Sequence, residues 1–96
     1  MQKGDMFFRN PKDKDFIKPE VYVKMENAEV QGRQASIFIK NSALVKICTG
    51  NYEPYPSDRW AITDEYYDEM VKDGYAIPIS DIKEVEKICP EYKIDL

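Results

Sequence analysis

The sequence predicts an α+β fold: a single small domain over residues 1–96, with an antiparallel sheet of three to five strands from the N-terminal half and two C-terminal helices packed on one face of it. Three observations carry this. Ninety-six residues make one domain, and 43% hydrophobic with 33% charged residues is globular composition rather than disorder. The first half alternates apolar and polar residues, with turns too short for a crossover helix, so its strands must be antiparallel neighbours. The second half changes to a helical period, with start and stop residues in place.

The elements follow in order. Asp5 to Arg9 is a short apolar segment stopped by Asn10-Pro11, and Pro11 to Lys18 is a charged, exposed loop. Val21 to Met25 alternates, with Val21, Val23 and Met25 on one face and Tyr22 and Lys24 on the other. The alternation slips at Glu26-Asn27, as a bulge or a strand end would make it do. Gln31-Gly32 is a turn. Gln34 to Lys40 is the clearest strand, with Ala35, Ile37 and Ile39 opposed to Ser36, Phe38 and Lys40. Asn41-Ser42 reads as a tight hairpin, and Ala43 to Cys48 as the returning strand. Thr63 caps a helix over 64–73, with Asp64 and Glu65 in its first turn and Gly74 at its end. Tyr75 to Ile79 is a short extended piece that Pro78 confines to a sheet edge. Ser80 caps a second helix over 81–89, which Pro90 stops.

The stretch Asn51 to Met70 holds four of the seven tyrosines and the only tryptophan. At 100° per residue, Tyr66, Tyr67, Met70 and Val71 share one arc of the first helix, so both tyrosines are expected in the core. Asp64, Glu65, Asp68 and Glu69 occupy its solvated back. The loop from Asn51 to Trp60 differs. Pro54 and Pro56 stiffen it, and Tyr52, Tyr55, Asp58, Arg59 and Trp60 include the residue types most enriched at interface hot spots.

Composition removes several chemistries. There is no histidine, which excludes Ser-His-Asp and Cys-His nucleophile systems and any zinc site built on imidazole. Cys48 and Cys89, the only two cysteines, cannot supply a four-thiolate site and are expected as reduced, partly buried thiols. Four glycines build no phosphate cradle, and no Walker A, GxGxxG or HExxH motif is present. No catalytic residue, metal or cofactor is expected, and the chain is read as a non-enzyme. The first fifteen residues show no secretory signal, and no apolar run approaches the ~20 residues that cross a bilayer, so a cytoplasmic chain off the membrane is expected.

The net charge of −4 is asymmetric. Met1 to Gly50 holds nine Lys/Arg against six Asp/Glu, and Asn51 to Leu96 five against twelve. With three arginines and no basic run, nucleic acid is a poor partner. The strand face of Tyr22, Lys24, Arg33, Phe38, Lys40 and Lys46 reads as the solvent side of a one-sided sheet, not as a stacking platform. The expected activity is binding to another protein, one with a basic surface, through Tyr52, Tyr55, Asp58, Arg59 and Trp60 together with Asp64, Glu65, Asp68 and Glu69. Inhibitors that phages and mobile elements direct against bacterial defence enzymes, CRISPR nucleases among them, share this size and acidity. Two other readings stand beside it: a nucleotide-type ligand held between aromatic rings with Arg33, Arg59 or a lysine on its phosphate, and a structural subunit that forms a homodimer along the Pro78 edge.

Overall fold

A computed structural model of the chain describes residues 1–13 and 15–93. Its strands are β1 (Met6–Arg9), β2 (Glu20–Val30), β3 (Arg33–Lys40), β4 (Arg59–Thr63) and β5 (Ala76–Ile79). Its helices are α1 (Asn41–Thr49), α2 (Asp64–Lys72) and α3 (Val85–Ile88). The sheet order is β4-β3-β2-β1-β5, with every neighbouring pair antiparallel. The class is α+β, and the sheet reaches five strands because the second half contributes both edges. β4 and β5 therefore run in the same direction at opposite edges, and α2 connects them across one face.

The β2–β3 hairpin turns at Gln31 and Gly32, both with positive φ (52° and 77°), the twist that suits a two-residue hairpin. The pairing register shifts between Lys24 and Glu26, where the alternation slips, so a bulge accounts for it. β5 is an edge strand and carries Pro78 there. Thr63 caps α2, its Oγ1 accepting from the Tyr66 amide at 3.2 Å, and Gly74 (φ 81°) follows its end. The last helix differs slightly from expectation. Its cap is Asp81 rather than Ser80, and a 3₁₀ turn, Ile82–Glu84, precedes α3. Glu84 Oε2 accepts from the Ser80 amide at 2.7 Å and from the Asp81 amide at 2.8 Å, closing a capping box. Those bonds, the Asp81 amide foremost, hold the Glu84 carboxyl below its usual range.

The segment Ala43 to Cys48 is not a strand. It lies in α1, and Asn41-Ser42 opens that helix instead of making a hairpin. Ala43, Leu44 and Ile47 recur at helical spacing and pack on Val23 and Ile39, which decides the matter over β-branched composition. The helix has no side-chain cap at its start, so the usual start signal is missing from the sequence.

Both faces of the sheet are covered, where one was expected. On one face Phe7, Tyr22, Phe38 and Ile62 pack with Met70 of α2. On the other, Phe8, Val21 and Ile79 meet Val85 and Cys89, while Val23 and Ile39 meet Ala43 of α1. Phe7 and Phe8 are consecutive and both fully buried, one for each face. The supposed solvent face is therefore partly core: Tyr22 and Phe38, 5% and 1% exposed, pack under α2, and Lys24 is 5% exposed, while Arg33 and Lys46 stay in solvent. Lys24 satisfies its ammonium on the Met1 carbonyl. No helix among the described residues is long and apolar enough to cross a membrane.

Candidate functional site

Between α1 and β4 the chain runs through a short loop and a 3₁₀ turn, Pro56–Asp58. One carboxylate organises it. Asp58 Oδ2 accepts from the Tyr52 hydroxyl at 2.6 Å and from the Tyr55 amide at 2.9 Å. Tyr52 lies under this staple, partly buried against the α1 face of the core, with the Lys46 ammonium 5.3 Å from its ring centroid. Its bond to Asp58, then its partial burial, push the Tyr52 hydroxyl up to about 12. The same bond, followed by that from the Tyr55 amide, lowers the Asp58 carboxyl. Tyr55 meets the Tyr52 ring edge-on at 6.2 Å and leaves 65% of its own surface exposed. A prolyl loop and a doubly bonded carboxylate thus present one large aromatic ring to solvent in a fixed place.

Trp60 does not join this group. It stands in β4, opposite Phe38, and its side chain packs on the α2 face of the sheet. There the Arg9 guanidinium lies 4.4 Å over its ring, with Tyr22 at 5.4 Å and Tyr66 at 6.4 Å between centroids. Trp60 was expected either in the recognition loop or as a plug at the end of the core. It is a strand residue instead, because Arg59 to Thr63 pairs with β3, a five-residue element that the adjoining helix cap disguises in the sequence. Arg59 itself is exposed at the start of that strand.

Asp64, Glu65, Asp68 and Glu69 are all exposed on α2. Glu65 pairs with Arg33 at 3.1 Å, a contact between two exposed side chains that contributes little. Tyr66 was expected in the core but is 49% exposed, because the arc it shares with Met70 is wider than the sheet face beneath. Tyr67 is the ring that goes inward. Cys48 is exposed and Cys89 buried, and neither forms a disulfide.

Three residues outside the expected set stand out. Phe16, in the β1–β2 loop, is 85% exposed. Its flanking charges were the one sequence signal that it lies outside the core. Arg9 and Lys12 line a groove of about 380 Å³ with Ile17, Tyr66 and Tyr75, between that loop and α2. Among the described residues, no three His, Cys, Asp or Glu side chains are grouped to hold a metal ion.

No family model matches the chain, and neither the curated proteins nor the solved structures contain a significant match to it.

Proposed function

We propose that this chain is a non-enzymatic binding protein whose target is another protein with a basic surface. The observation that carries the reading is Tyr55, two-thirds exposed on a loop whose backbone is bonded to the Asp58 carboxylate. An exposed ring with little mobility left to lose is the anchor that protein interfaces favour. The exposed carboxylates of α2 add a negative surface suited to steering a basic partner. An acidic chain of this size, acting by occupying a basic groove, suits an inhibitor made by a phage or mobile element against a bacterial nucleic-acid-handling or defence enzyme. That last step rests on size and charge alone.

The test is affinity capture with the intact chain, beside Asp68→Lys with Glu69→Lys as a second bait, at two salt concentrations. The reading requires one protein that both baits retain, with slower association and a flatter salt dependence for the charge-reversed bait. Identical behaviour of the two baits would remove the acidic face from the account.

The groove beside Arg9 and Lys12 favours a second reading, a nucleotide-type ligand against Tyr66 and Tyr75. A melting-temperature screen against nucleotides separates the two. A ligand that binds the native state raises the midpoint by mass action, and a chain that binds only proteins ignores the panel.

A further inference from the structure

The two edges of the sheet differ. β5 carries Pro78, which has no N–H to offer a further strand. β4 reads Arg-Trp-Ala-Ile-Thr, with no proline, and pairs with β3 without a break in register from Arg59 to Thr63. Among the described residues, no loop or helix backbone group bonds to Trp60, Ala61 or Ile62 on the outer side. An unguarded edge of aromatic and β-branched residues is a template for another strand.

We infer that β4 pairs with β4 of a second copy of this chain, antiparallel and centred on Ala61. The charges select this occupant and this direction. Arg59 opens the strand, and Asp64 and Glu65 follow its end. Centred on Ala61, the antiparallel pairing sets Arg59 opposite Thr63 of the other copy, next to that copy's Asp64 and Glu65. Symmetry forms the approach twice. A parallel pairing would set Arg59 beside Arg59. Ala61 is exposed and meets its own copy on the axis, where its methyl group offers no charge or bulk to oppose the approach. Trp60 takes the register position opposite Ile62 of the other copy, on the α2 side. The axis stands perpendicular to the sheet, so both Tyr55 loops lie on one side and present two anchors to one surface.

Self-association needs no other protein, so its test is separate from that of the protein-binding reading. Sedimentation of the intact chain over a range of concentrations is expected to show a monomer–dimer equilibrium. Ala61→Glu places like charges face to face on the axis and should weaken the dimer by about 30-fold or more, with the circular dichroism spectrum unchanged. Contact is read by cross-linking. In a Cys48→Ser background, Ala61→Cys should form a covalent dimer under oxidised glutathione, since facing Cβ atoms approach to about 4.5 Å, the upper end of the disulfide range. Ser80→Cys, just past β5, should not. A chain that stays monomeric at every concentration overturns the inference. So does a dimer that Ala61→Glu leaves intact, or one that cross-links through Ser80→Cys in place of Ala61→Cys.

Discussion

Removing one oxygen atom from the core should make this protein more stable. The Tyr67 ring packs edge-on to Phe7 at 5.4 Å and stacks over Phe38 at 6.2 Å. Its hydroxyl is buried with no hydrogen-bond partner among the described residues, and that burial, with the charges of Asp5 and Asp68 behind it, raises the hydroxyl pKa. Tyr67→Phe keeps the ring contacts and deletes only the orphaned group. An unpaired buried hydroxyl costs about 1–3 kcal/mol. The small void left by the oxygen offsets part of this, so the expected gain is about 1 kcal/mol. For a domain of this size that raises the melting midpoint by roughly 4–8 °C. Tyr22→Phe is the control with the opposite sign. Tyr22 is 5% exposed; burial raises its hydroxyl pKa and the neighbouring Arg9 charge offsets part of that rise, so losing this polar contact should cost about 0.5–1.5 kcal/mol. Urea and thermal unfolding of both variants, with an unchanged m-value, measure the difference. A Tyr67→Phe variant less stable than the parent by more than about 0.5 kcal/mol would refute the reasoning, since the hydroxyl would then have a partner and α2 a different seat on the sheet.

Tyr66→Ala should cost about 1.5–2.5 kcal/mol, half of what a buried aromatic costs, because half of its surface is already exposed; urea unfolding reads this directly. Cys48 should react with a thiol reagent in the native state and Cys89 only on unfolding, while Cys89→Ser alone lowers stability, by about 1–3 kcal/mol. The Tyr52 hydroxyl is raised above its unfolded value of about 10, so its contribution to loop order is complete below that pH and is lost as pH rises through about 12; tyrosinate absorbance follows the step. Asp58 is lowered, so its contribution is complete above its unfolded value of about 3.9 and is lost only as pH falls through the lower folded one. Tyr52→Phe should bring the Asp58 carboxyl back up toward its ordinary value, as carbon-detected NMR titration would show.

What the sequence revealed depended on whether the deciding interaction was local. The cap of α2 is written in Thr63, Asp64 and Gly74, and each acts within a few residues of the helix it bounds. The slip near Glu26 is a bulge, legible because a period of two cannot absorb an extra residue silently. α1 was hidden because its evidence lies in packing on Val23 and Ile39, which neither a local start signal nor a capping side chain announces. The second covered face was hidden for the same reason: Tyr22 and Phe38 alternate as solvent-side residues do, and only α2 makes them core. In the candidate site, Tyr52, Tyr55 and Asp58 come together as one group within a short loop. Trp60 parts from them because a strand residue's face is set by its pairing with Phe38, not by its neighbours in the loop.

The central proposal is that the Tyr55 ring anchors a protein partner, and its most direct test is the dissociation constant of the captured partner for the parent chain and for Tyr55→Ala. The ring is 65% exposed and rests chiefly on Tyr52, so its truncation should leave the melting midpoint nearly unchanged. Loss of a hot-spot anchor costs about 2 kcal/mol or more, a weakening close to thirtyfold. A dissociation constant within about twofold of the parent's, with the fold intact, would contradict the account.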